Sequence, residues 1–216
     1  MSKEERRERD RQRRIAEIID AAKQIFLLKG FTGTTMNDIA HHSDLSRRTL
    51  YYYFRSKEEV SLAAASNTLE QLLEQLEVVH RAEENGIGRL KLTLEIYRRM
   101  YESDPGGFQF IMNFSESVHS LGNDNELVGQ CFGHIDHIVA EISRFIREGI
   151  ADGSIRPIPE PEKTAAVLVS MVHSAIQNAV ADKDVVRLAT SINPEEFLQQ
   201  AFSILHAYLE VKTYTK

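Results

Sequence analysis

The sequence contains few residues that break helices or cross-link chains. Its 216 residues include 11 glycines, 5 prolines and one cysteine, and tryptophan is absent. The stretch from Thr34 to Asn85 contains neither glycine nor proline. So few turn residues exclude a sandwich or barrel of many short strands, and uninterrupted runs of this length favour long helices. We therefore predict an all-α fold with no disulfide framework and no cysteine-based zinc site.

The sequence also lacks a long apolar segment and a secretory signal. No apolar run approaches the ~18 residues that a membrane-spanning helix needs. Residues 1–7 are mostly charged, where a signal peptide requires an apolar stretch. We expect a cytoplasmic protein that has no membrane partner.

Charge is divided unevenly along the chain, although the net charge is only −6. Residues 1–56 carry 12 Lys and Arg against 8 Asp and Glu (net +4), whereas residues 57–216 carry 14 against 24 (net −10). A basic segment joined to an acidic body indicates that the first part meets a polyanion. We predict two domains with these boundaries. We expect residues 1–10, where acidic and basic side chains alternate, to form a flexible arm or a solvated extension of the first helix, and an arm in the minor groove of DNA stays open as an alternative.

The basic segment has the pattern of two short helices joined by a tight turn. Apolar residues recur at helical spacing over residues 11–29, and Gly30 ends that pattern. Thr35, with Asp38 three residues later, is the predicted N-cap of a very short second helix, and Ser46 is the predicted N-cap of the next. This arrangement is typical of a helix-turn-helix, whose second helix enters the major groove of DNA.

Residues 18–58 resemble the tetracycline-repressor (TetR) family of bacterial transcriptional regulators. The likeness is strongest over Leu45-Ser46-Arg47-Arg48-Thr49-Leu50-Tyr51-Tyr52-Tyr53-Phe54, followed by Ser56-Lys57-Glu58. It implies a homodimer whose N-terminal heads bind a palindromic DNA operator and whose C-terminal helices bind a small-molecule effector of unknown identity. It implies neither an enzyme nor a cofactor. Asp44 and Arg48 depart from the family pattern, because both positions are often glycine.

The resemblance also implies which side chains contact DNA. The implied residues are Thr35, Ser46, Arg47, Thr49, Tyr51, Tyr52, Tyr53 and Lys57. Arg48 is an additional candidate. Hydroxyl groups and the Lys57 ammonium suit phosphate oxygens, which set the register of the protein on the duplex. Arg47, Thr49 and Tyr52 are better suited to base edges.

Two further residue sets are candidates in the C-terminal body. The first set consists of aromatic and polar side chains that could line an effector cavity. Core packing explains the same residues equally well. They are Tyr97, Tyr101, Phe110, Phe114, Cys131, His134, His137, His173 and Gln177. The last two predicted helices carry apolar seams that we expect to form a four-helix bundle with a second copy, unless they pack internally. The seam residues are Leu168, Met171, Val172, Ala175, Ile176, Ala179, Leu198, Phe202, Leu205 and Leu209.

The main prediction is a ligand-responsive DNA-binding regulator, most simply a repressor, and two alternatives stay open. His134 and His137 lie three residues apart on a predicted helix and, with a third ligand such as His173, suggest a helical metal-binding protein or metalloenzyme. The other alternative is an architectural DNA-binding protein that has no effector.

Overall fold

The structure is a computed structural model that describes residues 2–112, 114–122, 124–181 and 192–211. Within these ranges the regular structure is helical, apart from an isolated β-bridge between Ile155 and Glu210, so the all-α prediction is confirmed. None of the described helices is long and apolar enough to cross a membrane. The helices are α1 (Lys3–Gly33), α2 (Met36–His42), α3 (Arg47–Tyr53), α4 (Lys57–His80), α5 (Gly86–Ser103), α6 (Pro105–Met112), α7 (Phe114–Leu121), α8 (Glu126–Asp152), α9 (Pro161–Ala181) and α10 (Pro194–Leu209).

The chain divides into two compact units whose boundaries differ from the predicted ones. The first unit comprises Met1–Thr68 and Phe110–Cys131, and the second comprises Leu69–Gln109 and Phe132–Lys216. The predicted boundary after residue 56 missed the return of a later segment to the N-terminal unit. That return brings the rings of Phe26 and Phe110 to 5.2 Å between their centroids.

Helix α1 begins earlier than the sequence analysis predicted. Ser2 caps its first turn in a capping box with Glu5, so residues 3–10 are helical here and not an irregular arm. The interleaved charges support the helix, since acidic and basic side chains three or four residues apart face each other, as Glu8 and Arg11 do at 3.7 Å. Each such exposed pair contributes little, but several occur along this segment.

Gly30 interrupts α1 near its end, at the position where the sequence analysis ended the helix. Its φ of 71° is left-handed, a conformation that glycine adopts without steric cost. The interruption turns Phe31 back against Phe26, with ring centroids 5.3 Å apart. Ile39 and Leu50 are both fully buried in the same unit, so α1, α2 and α3 share one apolar core.

In the second unit, the start of α5 lies directly against the end of α8. A Cβ atom on Gly86 would stand 2.2 Å from the Cα atom of Gly149, so this crossing needs glycine. Asp152 accepts a hydrogen bond from the backbone N–H of Gly86 at 2.8 Å, and Ser154 accepts one from that of Ile87 at 3.1 Å. Side chains at the end of α8 and just beyond it thus satisfy backbone donors in the first turn of α5.

Helices α9 and α10 pack against each other, and α10 also packs against α5. This packing supports the alternative that the seam packs internally, because most of the seam residues are buried within the chain itself. Those residues are Leu168, Val172, Ala175, Ile176, Leu198, Phe202, Leu205 and Leu209. Met171 is 47% exposed, and the side chain of Ala179 lies outside the described part of the structure. Apolar area already buried in one chain cannot be buried again against a second copy.

Candidate nucleic-acid interface and ligand cavity

Helices α2 and α3 form a helix-turn-helix whose turn is fixed by its backbone. Asp44 takes a left-handed φ of 52°, which Asp tolerates better than most residues. The N–H of Leu45 donates to the carbonyl of Ala40 at 2.9 Å. Both predicted caps are confirmed, since Thr35 accepts from the N–H of Asp38 at 3.2 Å and Ser46 accepts from the N–H of Thr49 at 3.0 Å.

Helix α3 has one buried side and one exposed side. Leu50 is fully buried in the core of the head. On the opposite side Tyr52 is 78% exposed and Tyr51 is 46% exposed. Arg47 and Arg48 are also exposed, and neither has a hydrogen bond or ion pair with any residue that the structure describes. This side of α3 therefore presents unpaired guanidinium groups and aromatic rings to an external partner.

The hydroxyl groups predicted to contact phosphate are engaged within the protein. Thr35 Oγ1 donates to the Asp38 carboxylate at 2.6 Å, and the hydroxyls of Ser46 and Thr49 lie 2.7 Å apart. These bonds set the first turns of α2 and α3. A phosphate contact by any of the three side chains would therefore share or replace a capping bond.

The ammonium group of Lys57 points into the head and not toward solvent. Its Nζ atom donates to the backbone carbonyls of Phe31 at 2.8 Å and Thr34 at 3.1 Å, and lies 3.4 Å from that of Thr32. It also stands 4.6 Å from the centroid of the Phe31 ring. A lysine ammonium has three donors, and here the end of α1 occupies them. Lys57 thus positions α4 against α1, whereas the sequence analysis predicted that its ammonium contacts a phosphate of DNA.

An ion pair connects α1 to α2 beside these carbonyls. Lys29 Nζ lies 2.6 Å from the carboxylate of Asp38. The hydrogen bond from Lys29, together with those from the side chain and backbone of Thr35, lowers the pKa of Asp38 far below its usual range. The carboxylate therefore stays ionised over the whole physiological pH range.

A groove between the start of α1 and the end of α3 was missed by the sequence analysis. The rings of Tyr52 and Tyr53, in an edge-to-face arrangement with centroids 5.2 Å apart, form one side. The other side comes from charged residues of α1, namely Glu4, Arg7, Glu8, Asp10, Arg11, Arg13 and Arg14. Arg7, Arg11 and Arg14 are spaced four and three residues apart, so they lie on one side of α1. This spacing could have predicted the charged side of the groove from the sequence.

A cavity of about 40 Å³ lies inside the second unit, among α5, α8, α9 and α10. The lining residues are Leu90, Thr93, Leu94, Tyr97, Ile142, Leu168, Val169, Val172, Leu205, His206 and Leu209. Of the predicted pocket set only Tyr97 is among them. Four of the others, namely Leu168, Val172, Leu205 and Leu209, had been predicted as the intermolecular seam, since an apolar helix face does not reveal by sequence which surface covers it.

The other predicted pocket residues do not line this cavity. Phe110, Phe114 and Cys131 belong to the first unit, where the thiol of Cys131 contacts the carbonyl of Leu62 at 3.5 Å. Burial raises the pKa of that thiol to about 11, so it is not a reactive thiolate. In the second unit His137 and Gln177 are exposed.

The metal hypothesis gains no support from the geometry. Within the described ranges, no group of three or more His, Cys, Asp or Glu side chains is placed to hold a metal ion. His134 is half-buried on α8, whereas His137 is exposed. A catalytic zinc site needs three protein ligands.

Three buried polar atoms near the cavity have no hydrogen-bond partner among the described residues. They are Tyr97 Oη, His206 Nε2 and His173 Nε2. The Tyr97 ring stands edge-on to the His173 ring, with centroids 5.9 Å apart. Burial raises the pKa of Tyr97 far above its usual value and lowers the pKa of His173 to about 4, so both side chains are neutral at pH 7.

Residues 18–64, which include the helix-turn-helix, match the family model for bacterial regulatory proteins of the tetR family. The chain belongs to the tetR family. It is a transcriptional regulator that binds DNA through its helix-turn-helix.

Relatives of this tetR-family chain extend the likeness beyond the head. An uncharacterized HTH-type transcriptional regulator of Bacillus subtilis, YfiR, is 29% identical over 170 residues, which are 78% of this chain and 80% of the relative. The negative transcriptional regulator IcaR of Staphylococcus epidermidis is 38% identical over 50 residues, 23% of this chain and 27% of IcaR. The structure of PfmR from Thermus thermophilus shares the fold, with a TM-score of 0.70 and 21% identity over 90% of this chain and 99% of PfmR.

Proposed function

We propose that the chain is a homodimeric repressor that binds a palindromic DNA operator and leaves it when a small molecule binds the second unit. The exposed side of α3 is the observation that carries this proposal. It combines two unpaired guanidinium groups with two exposed tyrosine rings on a helix whose opposite side is anchored by Leu50. Arginine pairs with guanine edges and with phosphates in the major groove, where a helix of this kind fits.

Within this interface we assign different roles to different side chains. Arg47, Arg48 and Tyr52 contact base edges, because Tyr52 is 78% exposed and the two exposed guanidinium groups make no hydrogen bond or ion pair with any described residue. Tyr51 and Tyr53, together with the arginines of α1 beside Tyr53, contact phosphates. Thr35, Ser46 and Thr49 add phosphate contacts from the helix starts, whereas Lys57 holds α4 in position from inside the head.

The dimer surface that we propose is the exposed side of α9 and α10, opposite the buried seam. Val167, Met171, Ile204 and Tyr208 are each between 47% and 59% exposed there. Small side chains border a shallow groove between the two helices, which includes Ser170, Ser174 and Ala201. Exposed apolar side chains next to small ones allow close helix packing, and a twofold axis lets the same surface serve both copies.

The switch that we propose uses the cavity of the second unit and the continuity of α4. Helix α4 is unbroken from Lys57, which holds the end of α1, to His80. A ligand that displaces the helices of the second unit would shift α4 and thereby the carbonyls to which Lys57 donates. Such a ligand lowers DNA affinity only if it binds the DNA-free conformation more tightly than the DNA-bound one.

The direction of regulation is proposed from the family and from one named relative. Regulators of the tetR family are typically ligand-responsive repressors, and IcaR, whose likeness covers 23% of this chain, is named as a negative regulator. Binding of a dimer over a promoter is sufficient to block transcription, and an activator would need a further surface for the polymerase.

Selection from a random duplex library at physiological salt tests the proposal. The full chain is expected to enrich a palindrome whose half-sites lie about 34–36 Å apart. The variant that carries both Arg47→Ala and Tyr52→Ala, with the exposed Val78→Ala as its matched control, is expected to enrich no sequence. Enrichment of the same palindrome by the double variant would contradict the assignment of α3. Failure of the unmodified protein, before and after refolding to remove bound ligand, would overturn DNA recognition itself.

A further inference from the structure

The groove between the start of α1 and the end of α3 adjoins the side of α3 that we assign to DNA. Tyr52, which is 78% exposed, belongs both to that side and to the wall of the groove. A helix seated in the major groove has one sugar–phosphate strand on each side of it, because the groove is only ~12 Å wide. Since Tyr52 and Tyr53 lie in the last turn of α3, the strand that passes this end of the helix would lie against α1.

The side of α1 that faces the groove continues the buried stripe of the same helix. Ile18, Ala22 and Ile25 are buried in the first unit. Arg14 and Arg11 extend this stripe toward the N-terminus at the same spacing of three or four residues, and both line the groove. The stripe therefore changes from apolar to cationic where the core ends, and its arginines share the groove with the tyrosine rings of α3.

Three of the arginines that line the groove are already paired with carboxylates of α1. The groove arginines are Arg11, Arg13 and Arg14, and their partner acids are Glu8, Asp10 and Glu17. The shortest distance between a nitrogen and an oxygen atom is 2.5 Å, from Arg14 to Glu17, and the other three pairs measure 3.5–3.7 Å. All six side chains are at least 39% exposed, so these pairs contribute little to stability.

A phosphate of DNA needs the same guanidinium groups that these carboxylates occupy. An arginine bonded to a carboxylate has fewer free donors to offer a phosphate, and the carboxylate itself repels the phosphate. Contacts with phosphates dominate the affinity of proteins for DNA of any sequence. The partner acids therefore oppose binding on a surface whose arginines and position beside α3 suit DNA.

We propose that Glu8, Asp10 and Glu17 compete with DNA phosphates for the groove arginines and thereby lower the affinity of the regulator for DNA. In the free protein the partner acids hold the guanidinium groups against α1. In the complex a phosphate displaces the acid, and the arginine binds the strand that passes Tyr53. The competition requires that α3 binds DNA, so it rests on the proposed function.

Replacement of the partner acids by their amides should strengthen DNA binding. The triple variant Glu8→Gln, Asp10→Asn, Glu17→Gln is expected to bind a random duplex at least ten-fold more tightly than the unmodified protein at about 50 mM salt, since each lost carboxylate lies a few ångströms from a phosphate site. The difference should shrink at about 500 mM salt because of screening. Fluorescence anisotropy with the full chain measures both affinities. Unchanged or weaker binding would overturn the proposal.

Glu17→Gln and Asp20→Asn form a matched pair of single variants on α1. Each removes one exposed carboxylate, but Glu17 pairs with two arginines, whereas Asp20 makes no hydrogen bond or ion pair with any described residue. We expect Glu17→Gln to raise the affinity about three-fold or more and Asp20→Asn to change it by less than about two-fold. This pair decides the question if the triple variant loses helix content in circular dichroism. Equal effects would indicate general repulsion and overturn the competition.

A double-mutant cycle tests whether the acids act through the arginines. The variant Arg11→Gln, Arg13→Gln, Arg14→Gln should bind every duplex more weakly and lower the salt slope by about one to three units. In that background, replacement of the partner acids should raise the affinity no more than Asp20→Asn does, because no arginine is left to release. An equal gain in both backgrounds would overturn the competition.

The same measurements separate the competition from the proposed function. If the unmodified protein binds its selected palindrome while replacement of the acids changes nothing, the competition is wrong and operator recognition by α3 stands. If neither the unmodified protein nor the triple variant binds any duplex at about 50 mM salt, the proposed operator recognition is wrong and the competition falls with it. Both are supported if the palindrome is bound and the gain from acid replacement disappears without the groove arginines.

Discussion

Lys57 and Phe31 are joined by two interactions across 26 residues of sequence: the ammonium donates to the Phe31 carbonyl at 2.8 Å and stands 4.6 Å from the centroid of its ring. The pair lies where α1 ends, beside the left-handed Gly30. Carbonyls at a helix end have no partners within the helix, and a cation placed there also complements the helix dipole. The first residue of α4 thereby fixes the end of α1.

Replacing Lys57 with methionine is expected to destabilise the head. The carbonyls of Phe31 and Thr34 lose a charged donor, so the free energy of unfolding should fall by about 1–2 kcal/mol, as measured by urea denaturation. Arg55→Met removes an exposed cation nearby and is the control. The salt dependence of DNA binding should keep its slope in Lys57→Met. A decrease of the slope by about one unit would instead assign Lys57 to a phosphate.

Tyr52→Ala is expected to reduce recognition of particular base pairs and to leave stability nearly unchanged. The ring is 78% exposed, and such substitutions usually alter the free energy of unfolding by less than about 0.5 kcal/mol. Affinity for the selected duplex should fall about ten-fold or more, while affinity for random duplex stays the same. An equal loss on both duplexes in fluorescence anisotropy would show that the tyrosine contacts the backbone of DNA.

Met171→Glu is expected to convert a dimer into monomers. A carboxylate at the centre of the proposed α9–α10 surface would face its own copy across the twofold axis and would be desolvated without a partner. Light scattering coupled to gel filtration should give the 24.6 kDa mass of one chain for the variant and twice that mass for the unmodified protein. Gln177→Glu, also exposed on α9 but outside the groove, should remain dimeric. A dimeric Met171→Glu would place the interface elsewhere.

Stability is expected to fall as the pH drops from about 6.5 toward 4, in part because of His173. Burial lowers the pKa of His173 to about 4 from its ordinary value of 6.5. Between these values the unfolded chain binds the proton and the folded one does not, so acid favours unfolding. At pH 5 the difference amounts to at most about 2 kcal/mol. Between pH 7.5 and pH 5 the free energy of unfolding should fall less in His173→Phe than in the unmodified protein. An equal fall in both proteins would show that burial does not lower the pKa of His173.

Gly86→Ala is expected to disrupt the crossing of α5 and α8. The added methyl would meet backbone atoms of Gly149 at 2.2 Å, and backbone cannot rotate away as a side chain can. Overpacking of this kind costs about 1–3 kcal/mol or more, measurable as a lower thermal midpoint. Gly133→Ala on α8, where a methyl would meet nothing within 4 Å, should instead be neutral or stabilising. A stable Gly86→Ala would mean that the helix ends separate easily.

Local chemistry made the head predictable from the sequence. The caps at Thr35 and Ser46, the turn at Asp44 and the end of the helical pattern at Gly30 depend on neighbours within a few residues, and the structure confirms them. The exposed side of α3 followed from the apolar positions of Leu50 and Phe54, which had to face the core. Such features are determined by bonds and steric limits that a short peptide already carries.

The partners of long helices could not be predicted in the same way. Leu168, Val172, Leu205 and Leu209 form an apolar stripe that looks the same whether a second copy or the chain itself covers it, and the structure covers it internally. The sequence likewise identified Tyr97 as a pocket candidate but not Thr93 or His206. Which side chains share a cavity depends on how helices distant in sequence cross each other.

The sequence by itself determined the helical class, the helix-turn-helix and the residues on its exposed face, because helix periodicity and capping act over a few residues. Only the tertiary structure decided that Lys57 binds the carbonyls at the end of α1, that the segment around Phe110 returns to the head, and that the apolar cavity contains Tyr97 and His206. These features join residues far apart in the chain, and their geometry is fixed only when the complete set of side chains packs at once.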